Sequence, residues 1–103
     1  MKIFISQPMG NRSRESIEAE RKDIIDFLKN KYPENDIEII DSYLCNKDKK
    51  PLEMLGESIK LLAQADLVCF AENFRLARGC RVEYQCALNY SIPIVYYREQ
   101  KDV

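Results

Sequence analysis

The sequence predicts an α/β three-layer sandwich, a four-stranded parallel sheet in the order 2-1-3-4 with helices on both faces. Three observations point there. Strand-like and helix-like segments alternate as βαβαβαβ, which favours a parallel sheet. The strand-like segments are apolar throughout, as strands covered on both faces are. Right-handed crossovers then reduce the options to a small Rossmann-like or flavodoxin-like topology.

Each element has its own signal. Lys2-Ile3-Phe4-Ile5-Ser6 reads as strand 1. Ser6-Gln7-Pro8-Met9-Gly10-Asn11 breaks it, and Ser13 is placed to cap a helix with Glu15 and Ser16 in its first turn. Ile17, Ile24, Ile25, Leu28 and Tyr32 recur at helical spacing, which carries helix 1 to about Lys31. Pro33-Glu34-Asn35-Asp36 is a turn, and Ile37-Glu38-Ile39-Ile40 is strand 2. The polar, lysine-rich stretch from Asp41 to Pro51 reads as a surface loop whose lysines are solvated. Helix 2 starts at Pro51 or Leu52, carries Leu55, Ile59 and Leu62 on one face, and ends near Gln64. Asp66 to Phe70 is strand 3, with Asp66 at its start. Helix 3 follows a short loop containing Gly79 and runs to Tyr90. Pro93 to Tyr97 is strand 4, and a charged tail runs from Arg98 to Val103.

The single domain of 103 residues has a modest core. Its 16 Lys and Arg nearly cancel its 17 Asp and Glu, so nothing in the charge points to a nucleic-acid partner. No apolar run approaches the roughly 20 residues that span a bilayer. The N-terminus lacks a signal-peptide pattern, so neither a membrane nor a secretory location is expected and the cytoplasm is.

The chain has no histidine. That removes the commonest metal ligand and the Ser-His and Cys-His nucleophile pairs, and no metal site or cofactor is expected. Cys45, Cys69, Cys80 and Cys86 form no C-x-x-C pair and read as reduced, with Cys69 a core residue. Cys80 lies between two arginines at a helix start, which favours a lowered thiol pKa, but it has no acid–base partner. Acid–base chemistry therefore falls to carboxylates, Tyr, Lys or water.

The segment Ala77-Arg78-Gly79-Cys80-Arg81-Val82-Glu83 follows the apolar run of strand 3 and opens helix 3. In open parallel sheets, ligands sit beyond the carboxyl ends of the strands. A helix N-terminus there favours negative charge, so Glu83, read as an acid in the first helical turn, is expected to be ionised. Arg78 and Arg81 would then face an anion. The alternative is a turn glycine followed by an acid that complements the helix dipole in solvent.

The order 2-1-3-4 puts a topological switch between strands 1 and 3. The loops after them would line one crevice, with Ser6, Gln7, Pro8, Met9, Gly10, Asn11 and Arg12 on one side and Glu72 to Glu83, including Asn73, on the other. The first loop has no G-x-G-x-x-G or Walker pattern. Its backbone N–H groups, with Arg12 or Arg14, suit a phosphate or simply start helix 1.

An N-terminal I-F-I-S-x-P-M-G, a later I-x-x-L-x-x-A-D-L-V, and R-G-C-R-V-E-x-x-x-A before I-P-I-V resemble the nucleoside 2-deoxyribosyltransferase-like family, and more closely its small bacterial and phage branch. The resemblance spans nearly the whole chain. It implies a flavodoxin-like fold, homo-oligomers, and cleavage or transfer at the N-glycosidic bond of a nucleoside or nucleotide. It also implies that Glu83 is the nucleophile that attacks the sugar. Two acidic positions of the family depart here: the one eight residues before Asp66 is Ser58, and the one six residues before Glu83 is Ala77. The group that protonates the departing base is left open among Glu72, Tyr84 and a partner subunit. Two readings result, an N-glycosidase or deoxyribosyltransferase using Glu83, and a module that captures a nucleotide or nucleotide-derived signal intact. Tyr90, Tyr96 and Tyr97, near one end of the sheet, suit an interface between copies or close the core edge.

Overall fold

A computed structural model describes residues 1–42 and 48–98. Cys45, part of the lysine-rich loop, and the tail after Arg98 lie outside the described residues.

The element order is β1 (Lys2–Ser6), α1 (Arg14–Lys31), β2 (Glu38–Ile39), α2 (Pro51–Leu62), β3 (Leu67–Phe70), a 3₁₀ turn (Phe74–Leu76), α3 (Arg78–Asn89) and β4 (Ile94–Tyr96). The four strands are parallel and lie in the order β2-β1-β3-β4. Ile3 pairs with Ile39 on one side and Leu67 on the other, and Cys69 pairs with Val95. This is the predicted α/β three-layer sandwich.

Strand periodicity divides the core in two. Ile3 and Ile5 of β1, with Leu67, Cys69 and Ala71 of the β3 segment, pack on Ile24 and Leu28 of α1. Phe4, Val68 and Phe70 point the other way and pack with Leu62 of α2, Phe74, and Cys80 and Ala87 of α3. Both faces of the central strands are buried, so β1 and β3 read as continuous apolar runs.

Local chemistry sets the ends. Ser13 caps α1, its hydroxyl accepting from the Ser16 N–H at 3.1 Å. Lys29 and Lys31 lie in the last turn, where cations complement the helix dipole. Pro51 occupies the start of α2, where a missing N–H costs nothing. Asp66 accepts from the Lys2 N–H at 2.8 Å and ties β3 to β1 at their amino ends.

Several boundaries differ from the sequence expectation. β2 is two residues long, although the backbone bonds from Glu38 N–H to Met1 and from Ile40 N–H to Ile3 extend its pairing. β4 starts at Ile94 because Pro93, which lacks an N–H, contributes only its carbonyl, to Val68. α2 ends at Leu62, after which Gln64 and Ala65 donate to Leu61 and Leu62 in tightened, three-residue spacing. α3 begins at Arg78, so Gly79 lies inside the helix and not in a loop before it. No glycine among the described residues has a positive φ.

Leu28 is fully buried and Leu52 is 77% exposed. Leu28→Ala is expected to destabilise the fold by about 2–5 kcal/mol through the cavity it leaves. Leu52→Ala is expected to stay within about 0.5 kcal/mol. Urea denaturation midpoints check both.

Candidate functional site

The last residue of β1, Ser6, and the residue after it, Gln7, are polar and face opposite layers. Ser6 shares the face of Phe4 and points toward α3; Gln7 points toward α1. Both are almost fully buried. The Ser6 hydroxyl donates to Glu83 Oε1 at 2.7 Å. From α2, the Ser58 hydroxyl donates to Glu83 Oε2 at 2.5 Å. The carboxylate, 7% exposed, is thus held on each oxygen by a serine from a different layer element.

The expectation that the helix dipole keeps Glu83 ionised is corrected on two points. Glu83 is the sixth residue of α3 and lies about 7.5 Å along the axis from the first, outside the turn where the dipole acts. Its carboxyl pKa is raised, chiefly because burial disfavours the charge, with the Ser58 and Ser6 hydrogen bonds opposing.

A cleft of about 1150 Å³ opens over this carboxylate. Gln7, Pro8, Met9 and Gly10 line it from the first loop. Asn73, Ala77, Arg78, Gly79 and Cys80 line it from the 3₁₀ turn and α3, and Ser58 and Glu83 from below. The crevice expected at the switch between β1 and β3 is therefore formed. Ser6, expected in that crevice, is bonded to Glu83 but is not one of the residues that line the cleft. Among the described residues, Glu83 is the one carboxylate in the lining.

Other candidates lie elsewhere. Arg12 is not in the lining: it donates to the Pro8 carbonyl at 2.9 Å, to Glu20 at 2.7 Å and to Ser16. These acceptors bind the first loop back onto α1. Arg14 pairs with Glu18 one turn along the exposed side of α1. Arg81 donates to the Arg75 carbonyl on the surface, outside the cleft. Of the two arginines expected to face an anion, only Arg78 lines the cleft.

Cys80 does not carry a lowered thiol pKa. Burial pushes it up to about 12; a hydrogen bond to Ser6 opposes this, and the nearby Glu83 and Glu20 carboxylates reinforce it. Burial alone raises Cys69 to about 12 as well. Cys69, Cys80 and Cys86 are free cysteines. Neither named candidate for protonating the base lines the cleft: Glu72 pairs with Arg98 at 3.1 Å, and the Tyr84 hydroxyl meets that of Tyr96 at 3.1 Å. Among the described residues, no group of three or more Cys, Asp and Glu side chains converges to hold a metal ion. No helix among them is long and apolar enough to cross a membrane.

Sequence reasoning missed one wall of the cleft. Pro51, Met54 and Leu55 of α2 stand one helical turn apart and lead to Ser58. The sequence groups Leu55 with Ile59 and Leu62 on one face of helix 2 and gives no signal that Pro51, Met54 and Leu55 line the crevice. Ser42, whose hydroxyl donates to the Ile5 carbonyl at 3.2 Å, is a second omission without a motif signal. Asn11 and Asn73, both in the left-handed region at φ 59° and 64°, shape the two rims, and asparagine tolerates that conformation better than most residues.

A carboxyl whose folded pKa exceeds its unfolded value binds more protons in the folded state. Its contribution to stability is full below the unfolded value and is lost as pH rises through the folded one. Glu83→Gln, which keeps the shape and removes the charge, is expected to raise the melting temperature at neutral pH and to flatten its decline above the acidic range. Thermal melts of both proteins across pH check this.

No family model, no curated protein and no solved structure matches the chain.

Proposed function

We propose that the cleft binds a nucleoside or nucleotide and that Glu83 acts on its sugar, cleaving or transferring at the N-glycosidic bond. The observation that carries this is the buried carboxylate at the cleft floor, fixed on both oxygens by Ser6 and Ser58. Held hydroxyl donors preset its orientation, so little ordering remains when a ligand arrives. Each carboxylate oxygen has a second lone pair for a sugar hydroxyl or an anomeric carbon.

In the reaction, a Glu83 oxygen bonds to the anomeric carbon as the bond from that carbon to the base nitrogen breaks. The bonding pair leaves with the base nitrogen, which takes a proton from solvent water, since no carboxyl other than Glu83 lines the cleft among the described residues. Water then cleaves the sugar ester, giving a glycosidase, or a second base does, giving a transferase. Ser58, at a position where the resemblance implies an acid, serves here by donating to the nucleophile. Only ionised Glu83 is nucleophilic, so the rate rises with pH as its raised pKa is crossed.

A second reading, capture of the intact ligand, is favoured by one observation. The lining holds no second carboxylate among the described residues, and binding without efficient base protonation gives occupancy without turnover.

The reading places the protein in the cytoplasm as a homo-oligomer. Tyr90 is 79% and Tyr96 38% exposed, and both suit a contact between copies. Tyr97 instead packs edge-on against Phe27 at 5.5 Å, closing the core.

Incubation with a panel of nucleosides and deoxynucleotides, followed by mass spectrometry, is expected to show free base. Glu83→Gln is expected to lower that release by at least about a hundredfold while retaining ligand. Intact ligand with no release favours capture. Undiminished release in Glu83→Gln contradicts the assigned role.

A further inference from the structure

Charge is unevenly spread over this near-neutral chain. From Asn73 to Tyr97 the only acidic residue is Glu83, and it is buried. The same stretch carries Arg75, Arg78 and Arg81, all exposed. The other arginines lie beside carboxylates: Arg12 with Glu20, Arg14 with Glu18, Arg98 with Glu72, and Arg21 near Asp41. Positive charge that is balanced elsewhere is therefore concentrated beside the cleft.

The three arginines are connected. Arg78 lines the cleft. Arg81 follows it by three residues on α3, so the two side chains are neighbours on the helix surface. Arg81 Nη1 donates to the Arg75 carbonyl at 3.0 Å, which brings the third residue alongside. The Arg75 guanidinium lies over the rings of Phe74 and Tyr84, 5.1 and 5.6 Å from their centres. Stacking engages the flat face of a guanidinium and leaves its N–H edge for another group. The result is a cationic track that begins inside the cleft and leads out over the start of α3. A cleft edged by one sign of charge draws in the opposite ion.

Glu83 lies about 7.5 Å along the helix axis from Arg78, comparable with the span of a sugar and its first phosphate. A ligand with its sugar at Glu83 and its 5′ substituent directed along α3 presents that phosphate to Arg78. Further phosphates then meet Arg81 and Arg75.

Resting on the function proposed above, we infer that Arg78, Arg81 and Arg75 form a phosphate track, so that the preferred ligand is a nucleoside 5′-diphosphate or triphosphate and not the free nucleoside. Guanidinium edges match phosphate oxygens in paired, charge-assisted hydrogen bonds. A nucleoside reaches Glu83 but leaves the track to water, and each added phosphate engages more of it.

The test uses the full chain carrying Glu83→Gln, so that ligand is not consumed. Isothermal titration compares each of the common deoxynucleosides with its 5′-mono-, di- and triphosphate, and adds inorganic tripolyphosphate and a short single-stranded oligonucleotide. For at least one base, the triphosphate is expected to bind roughly tenfold or more tightly than the nucleoside. That advantage is expected to shrink at high salt. Adding Arg78→Gln and Arg81→Gln together is expected to remove most of it. If that protein does not fold, Arg81→Gln alone decides, and it is expected to weaken triphosphate binding more than nucleoside binding. Equal affinity for nucleoside and triphosphate, or an advantage untouched by the arginine substitutions, overturns the track and leaves the cleft a nucleoside site. Tripolyphosphate binding as tightly as the nucleotide marks an adventitious anion surface only, and tighter binding of the oligonucleotide marks a nucleic-acid surface; each overturns the assignment. Failure of every probe to bind overturns the functional reading as well.

Discussion

The structure depends on placing one carboxylate where water is scarce. Glu83 is carried into the interior by α3, and its two oxygens are met by hydroxyls from β1 and α2. Burying an unpaired charge is costly, and each hydroxyl offsets part of that cost. The raised carboxyl pKa records that the offset is incomplete. A fold that needed only stability would place an apolar residue there. The three elements that meet at Glu83 also set the walls of the cleft, so the chemistry and the packing share one origin.

The first loop is positioned by a second polar centre. Glu20 of α1 accepts from both Arg12 and Gln7, and Arg12 reaches on to the Pro8 carbonyl. The loop is thereby folded against α1 without glycine at a positive φ, and Gly10 is left with open space beside it. Arg12, which looks available in the sequence, is consumed in this scaffolding. The cleft retains Arg78 and Lys50 as its described cationic lining.

Most of the fold was legible in the sequence, for physical reasons. Apolar runs of β1 and β3 follow from burial on both faces, and the α1 stripe of Ile17, Ile24 and Leu28 follows from the helical period. The 3₁₀ turn at Phe74–Leu76 was not legible. It depends on Phe74 docking between Phe70 and Tyr84, with ring centres 4.6 and 5.1 Å apart, and no local pattern encodes a tertiary contact. The start of α3 was misplaced because Gly79 looks like a turn residue. A side chain there would make only ordinary contact with Leu55, at 3.9 Å. The site was legible as a set of loops around Glu83. The protonation tendency of Glu83 was not, because it is set by depth and by Ser58, which is distant in sequence.

The most direct measurement is a carbon NMR titration of the Glu83 side-chain carboxyl in the intact protein, repeated in Ser58→Ala. A buried carboxyl steadied by serine hydroxyls should titrate above the ordinary glutamate range, and removing Ser58 should raise it further, since that hydroxyl favours the charged form. A titration at or below the ordinary range, unmoved by Ser58→Ala, would mean that the side chain faces solvent and that the cleft has no carboxylate at its floor.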